Sequence, residues 1–235
     1  DGGASAIFSG FIPQGTTEIY VLYPYDENAE ISNNDGNVEI TTTLPDRQNL
    51  KAGTFDSNAN ISVAQVVIDA EKCTGTFTLR NVGTLVKFTP KDISYCRAIF
   101  SSNNNTPLAG GIKISGIAVD SDLTVATTKE ASGSVVCNGE LSAGSTYYIA
   151  VLRGTHENGI SFYLENDPGT NDGKCSKKAN STTLTIGGKD ANNNNNKTKL
   201  LNMGEMSAST TGYPTHMGHE YVDLGTTVDG KKVYW

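Results

Sequence analysis

Two histidines near the C-terminus have the spacing that comes closest to a metal site. His216 and His219 stand three residues apart, and Glu220 follows directly. Zinc requires three or four ligands, and this segment is rich in glycine and proline, whereas paired ligands are usually presented by a helix. The spacing supplies only half of a site. We therefore predict an ordinary linker, with no bound metal and no cofactor.

The loop over residues 167–173 is a second arrangement with possible ligands. Its side chains offer the oxygen atoms that calcium prefers, in the order Asp-Pro-Gly-Thr-Asn-Asp-Gly. The spacing lacks the alternating acids and the central glycine of an EF-hand loop. A surface hairpin turn is the better interpretation.

Catalytic arrangements are not visible in the sequence, and we expect a protein that is not an enzyme. No serine stands in a G-x-S-x-G elbow, and His156 lies in a predicted turn over residues 154–159. Paired carboxylates on separate strands would leave no sequence spacing, so a secreted hydrolase stays the last-ranked alternative. Four tyrosines are candidates for stacking on sugars, although tyrosines in alternating strands are mostly half-buried packing residues. They are Tyr23, Tyr25, Tyr163 and Tyr213.

The four cysteines lie far apart and form no C-x-x-C pair, which excludes zinc-ribbon and thioredoxin-type spacing. They allow three disulfide pairings, and free buried thiols are an equal alternative. They are Cys73, Cys96, Cys137 and Cys175.

Charge argues against nucleic acid as a partner. The 235 residues carry a net charge of -7, and such a surface repels a phosphate backbone. The charge is uneven, because residues 1–46 contain eight acids and no Lys or Arg. This polarity is compatible with head-to-tail contact between subunits, since complementary fields steer association. Taken on its own, a solvated acidic sheet face is the better interpretation.

Short β-type runs bounded by Gly, Pro, Asn and Asp recur along the chain and predict an all-β fold. Ile112 and Ile114 alternate with polar residues, as do Ile160, Phe162 and Leu164, which predicts one buried face per strand. The runs 19–23 and 147–152 are apolar on both faces and predict the central strands of two separate cores. Residues 45–53 alone have the signals of a helical turn. No apolar stretch approaches the roughly 18 residues of a membrane helix.

Six sequence pieces, taken in order and spacing, resemble the fimbrillin family, the subunits of type V pili on gram-negative anaerobes. The pieces lie at residues 18–26, 43–48, 77–88, 99–111, 144–151 and 199–204. The resemblance implies two tandem transthyretin-like Greek-key β-sandwiches, at residues 1–90 and 91–206, with a linker and C-terminal extension at 207–235. It also implies a lipoprotein at the cell surface, anchored to the outer membrane by a lipid outside this sequence or built into a fimbria.

Family members polymerise by strand exchange, and a sandwich that lacks a strand offers unpaired amides and an apolar groove to a neighbour's strand. The candidate donor strand lies in the C-terminal extension. It consists of Tyr221, Val222, Asp223 and Leu224. The same region, 218–225 with Trp235, also resembles the opening of a repeat module found after fimbrillin-like domains, so that it is either a strand or the truncated start of a further module.

These observations predict a structural or adhesive subunit of a cell-surface fimbria, with tip and accessory positions among the candidates. The expected partners are other pilus subunits, and a host or bacterial surface protein or glycan is a further candidate. The alternative is a monomeric surface glycan-binding lipoprotein that uses loop aromatics.

Overall fold

The structure is a computed structural model. It describes residues 7–91, 93–119, 121–166, 175–178, 184–187, 200–206, 223–228 and 231–234. All regular structure in these ranges is β-strand, so the predicted all-β class is confirmed. The strands are β1 (Glu18–Tyr23), β2 (Glu30–Asn34), β3 (Asn37–Leu44), β4 (Arg47–Asn49), β5 (Ser62–Val67), β6 (Arg80–Asn81), β7 (Thr84–Pro90), β8 (Tyr95–Ser102), β9 (Gly110–Ser115), β10 (Thr124–Thr127), β11 (Ser134–Leu141), β12 (Tyr147–Val151), β13 (Gly154–His156), β14 (Ile160–Glu165), β15 (Cys175–Lys178), β16 (Leu184–Ile186), β17 (Leu201–Met206), β18 (Asp223–Val228) and β19 (Lys231–Tyr234).

The strands form four sheets and two separate strand pairs. The first sheet has the order β1-β5-β6, the second β10-β9-β3-β2, the third β15-β14-β8-β11-β4 and the fourth β12-β7-β17; the pairs are β13-β16 and β18-β19. Most pairings are antiparallel, and β4–β11 and β7–β17 are parallel. No helix in the described ranges is long and apolar enough to cross a membrane.

The predicted alternation of buried and exposed residues is confirmed in β9, and in β14 only the predicted buried face is confirmed. Ile112 and Ile114 are fully buried in β9 while Lys113 between them is exposed. In β14, Ile160, Phe162 and Leu164 are likewise fully buried, but Ser161 is buried as well and no residue of the strand is exposed. Side chains of a strand point alternately to its two faces, so one face of each strand enters the core.

The third and fourth sheets pack against each other through aromatic rings. Phe162 of β14 meets Phe88 of β7 edge to face, with ring centroids 4.9 Å apart, and meets Phe100 of β8 at 5.8 Å. At one side of this sandwich, the side chain of Gln48 in β4 bonds to the backbone of Ala150 in β12. This contact joins the edges of the two sheets.

The predicted boundary at residue 90 is crossed by several strand pairings. In the second sheet β3 pairs with β9, in the third β4 pairs with β11, and in the fourth β7 pairs with β12. Buried side chains from both sides of residue 90 belong to one cluster. The expectation of two separate cores is therefore wrong for the described residues, because long-range pairing mixes the two halves.

Two local predictions also need correction. The doubly apolar strands β1 and β12 lie at edges of their sheets and not at the centres. Gln48 covers the β12 edge, because its side chain bonds the C=O and the N–H of Ala150. Residues 45–53 contain the short strand β4 where a helical turn was predicted, because pairing with β11 fixes an extended backbone.

Candidate functional site

An open cleft of about 580 Å³ lies beside β10, the edge strand of the second sheet. Four separate segments of the chain form its walls. They contribute Val82, Thr106, Pro107, Leu123, Val125, Ala126, Thr127, Leu152 and Arg153. We call this feature the β10 cleft.

Arg80 fixes the place where β10 begins. Its guanidinium donates to the carbonyl of Ser121 at 2.5 Å and to those of Ile117 at 2.5 Å and of Gly116 and Ala118 at 3.3 Å. These carbonyls belong to the connection between β9 and β10. Charge-assisted bonds of this kind are stronger than neutral ones, so Arg80 holds the connection and thereby one wall of the cleft.

Among the residues that the structure describes, no strand pairs with the outer edge of β10. Its described pairing is with β9, where Thr127 lies opposite Ile112, and the following Thr128 donates its N–H to Gly111 at 2.9 Å. In an antiparallel pair, hydrogen-bonded positions alternate with positions whose N–H and C=O point outward. Val125 and Thr127 therefore direct their backbone groups away from β9, toward the open side.

Arg153 forms the polar part of the opposite wall. Its Nε donates to the carbonyl of Gly83 at 3.2 Å and its Nη2 to the carbonyl of Asn81, so that Nη1 has no described hydrogen bond. Burial lowers the pKa of this guanidinium from its ordinary value. Among the lining residues it is the single charged side chain, and none of them is a carboxylate.

The β10 cleft therefore combines three means of recognition. The outward backbone groups of Val125 and Thr127 can pair with an added strand, the half-buried side chains of Pro107 and Leu123 offer apolar surface, and Arg153 offers a positive charge. Strand addition to a sheet edge uses backbone bonds for affinity and side-chain pockets for specificity. No lining residue was predicted from the sequence as a site residue, because four distant segments meet here.

The described tyrosines that were weighed as candidates for stacking on sugars do not line this cleft. Tyr23 is 50% exposed and Tyr25 is 87% exposed, and neither lines it. Tyr163 is half-buried in β14, and burial raises its pKa. Tyr213, His216, His219, Glu220 and the loop 167–173 lie outside the described residues.

The predicted donor strand is described only in part. Tyr221 and Val222 lie outside the described residues. Asp223 and Leu224 begin β18, which pairs antiparallel with β19, as in the register Asp223 to Tyr234. One edge of β18 is thus already occupied within its own hairpin.

Three of the four cysteines are free thiols. Cys73 is exposed, Cys96 is half-buried and Cys137 is fully buried. Burial, and secondarily the charge of Asp56, raises the pKa of the Cys137 thiol. A thiol kept protonated in this way packs as a small hydrophobic side chain. The side chain of Cys175 lies outside the described residues.

A serine and a histidine meet in the core, in an arrangement that sequence reasoning missed. His156, which lies in β13 and not in the predicted turn, is fully buried, and its Nδ1 is 2.9 Å from Ser102 Oγ. Ser102 donates its proton to Asn104 Oδ1 at 2.7 Å, an oxygen that also accepts from Thr106. The histidine must then donate from Nδ1, so it cannot act as a base toward Ser102.

The same histidine gives the folded state a pH dependence. Burial lowers the His156 pKa, and its Nε2 has no partner. The unfolded chain binds a proton near pH 6.5, before the folded chain does, so stability is present above that pH and is lost as the pH falls below it. Between pH 7 and 5, we expect the free energy of unfolding, measured with urea, to fall more steeply in the wild type than in His156→Gln. The difference in slope should be up to about 1.4 kcal/mol per pH unit.

Both proteins contain the same carboxylates, so the comparison cancels the contribution of those carboxylates to the pH dependence of stability. Parallel stability curves for the two proteins would contradict the assignment.

The described residues contain no group of three or more His, Cys, Asp or Glu side chains placed to hold a metal ion. Comparison of the chain with protein-family models, with curated proteins and with solved structures gave no match.

Proposed function

We propose that this chain is a structural subunit of a cell-surface fibre, which joins its neighbours when a strand of one copy adds to the β10 edge of the next. The observation that carries the proposal is that, within the described ranges, the outer edge of β10 has no strand partner and lies beside a partly apolar cleft. An open edge is normally blunted or covered in a protein that must stay monomeric. β10 carries no charge on its own residues, Thr124–Thr127, to discourage pairing.

The proposal includes a location and an architecture that follow from the fimbrillin resemblance. The fibre is a fimbria at the outer surface, and a lipid anchor outside this sequence attaches the chain or its complex to the outer membrane. The strands form a transthyretin-like β-sandwich in which β3, β4 and β7 pair with strands beyond residue 90. A host or bacterial surface protein or glycan is the expected adhesion target.

Blocking the outward N–H of Thr127 should abolish assembly. Thr127→Pro removes a donor that faces away from β9, so the bonds within the sheet remain, while an incoming strand loses a hydrogen bond and meets the proline ring. We expect association to weaken by at least about tenfold, the equivalent of about 1.4 kcal/mol, measured by sedimentation velocity over a range of concentrations. On producing cells, antibody-labelled surface fibres should be lost.

Thr127→Ala is the matched control, since it changes the same side chain and keeps the N–H. It should assemble like the wild type, and both variants should keep the wild-type melting temperature within a few degrees. Unchanged fibres in Thr127→Pro, or a wild-type chain found only inside the cell, would refute the proposal.

A further inference from the structure

The N-terminal segment Ile7–Ile12 is the most exposed apolar part of the described chain. Ile7 is 99% exposed, Phe8 77%, Phe11 108% and Ile12 46%. Its backbone belongs to no strand and makes no described hydrogen bond. Contiguous exposed apolar side chains mark an interaction site, because they gain free energy when a partner covers them.

The segment has the pattern of a strand that lacks a sheet. In an extended conformation Ile7 and Phe11 point to one side, and Phe8 and Ile12 point to the other. Each side thus pairs two large apolar residues with a small one between them, Ser9 or Gly10. Pro13 ends the segment, as expected where a strand cannot continue.

Its position directs it away from the β10 cleft of the same molecule. Tyr23, at the far end of β1, lies opposite Ser62, which lies opposite Asn81, the neighbour of the cleft residue Val82. The segment enters β1 at the other end, at Glu18. That end also holds Phe8 against Phe77, with ring centroids 6.3 Å apart. The length of β1, roughly 17 Å, separates the two ends.

Charge is compatible with the cleft of a second copy. Ile7–Ile12 carries no charged residue, its nearest charged residues on either side in the sequence are the acids Asp1 and Glu18, and no Lys or Arg precedes Arg47. The cleft lining carries Arg153, whose Nη1 has no described hydrogen bond, and no carboxylate. Opposite potentials speed encounter and disfavour wrong partners.

We infer that Ile7–Ile12 of one copy adds as a strand to β10 in the cleft of a second copy of this chain. The inference rests on the proposed function and names its donor segment, in place of the C-terminal candidate. Because the donor and the acceptor lie at different ends, the contact is head-to-tail and generates an open fibre and not a closed dimer.

The test combines a donor variant and an acceptor variant of the full chain. Phe8→Asp with Phe11→Asp disables both faces of the segment at exposed positions, and Thr127→Pro disables the cleft. Each variant alone should show at least a tenfold weaker association than the wild type in sedimentation velocity. A 1:1 mixture should form a species of two chains and nothing larger, because only one productive contact remains.

Tyr25→Asp is the control for adding a charge at an exposed aromatic outside the segment, and it should assemble like the wild type. If Phe8→Asp with Phe11→Asp assembles normally while Thr127→Pro does not, the donor is another segment: the inference falls and the proposed function stands. Inhibition by a peptide of residues 218–235 would then identify the C-terminal extension. A mixture that forms no two-chain species also overturns the inference. A wild type that stays monomeric at every concentration overturns the inference and the proposed function together.

Discussion

Replacing Gln48 by leucine is expected to lower the free energy of unfolding by about 3 to 5 kcal/mol. Gln48 is 1% exposed, and its amide donates to the carbonyl of Ala150 at 2.7 Å and accepts from the N–H of Ala150 at 3.0 Å. A third bond reaches the carbonyl of Pro45 at 3.1 Å. Leucine fills a similar volume but leaves these buried backbone groups without partners, and each such group costs about 1 to 3 kcal/mol.

The loss is best measured by urea unfolding, compared with Gln14→Leu. Gln14 is exposed and makes no described hydrogen bond, so this control should change stability by less than about 0.5 kcal/mol. Near-equal stability of the two variants would mean that Gln48 does not join the sheet edges.

The second large effect is expected for Gly110→Ala, with a loss of at least about 3 kcal/mol. Gly110 has a φ of +100°, and a Cβ there would lie 2.3 Å from the carbonyl oxygen of Glu130 and 2.7 Å from the Cα of Ala131. Both contacts are with backbone that follows β10. Relief would require β9 to separate from β3, or the β10 region to move, so the proposed assembly through the cleft should weaken along with the stability.

Gly36→Ala separates the cost of a left-handed backbone from the cost of the Cβ contact with Glu130 and Ala131. Gly36 has a φ of +86°, and a Cβ there would have open space around it. Its substitution therefore carries the cost of the left-handed backbone alone, about 1 kcal/mol. Equal losses in the two variants, by urea unfolding under the same conditions, would show that the Gly110 contact relaxes without cost.

Local pattern was enough to predict the all-β class and strands such as β9, but it missed β4 and β13, and long-range pairing was not accessible to it. The alternation around Ile112 and Ile114 identifies a buried face because each strand carries that information in its own residues. Residues 147–152 indicated a strand covered on both sides, which is correct for burial. What covers its edge is a glutamine about 100 residues earlier in the chain, and no local signal of spacing or hydrophobicity marks that residue.

The β10 cleft was unpredictable for the same reason. Arg80 and Arg153 read as ordinary charged residues in the sequence, and their roles appear only when their guanidinium groups meet carbonyls of distant segments. The exposure of Phe8 and Phe11 was also not predictable, because a short apolar run in a sequence is typical of a buried strand. The predicted domain boundary failed where β3 and β4 found partners beyond residue 90.

The pairing of β3, β4 and β7 with strands beyond residue 90 limits how far the chain can fold while it is being synthesised. Arg47 pairs with Val136, about 90 residues later in synthesis, so only the first sheet, β1-β5-β6, can be completed by an early piece of the chain. At roughly 5 to 20 residues per second, an emerging chain spends several seconds with unsatisfied strand edges. Until β11 has emerged, the open edge of β4 is therefore exposed to wrong pairing.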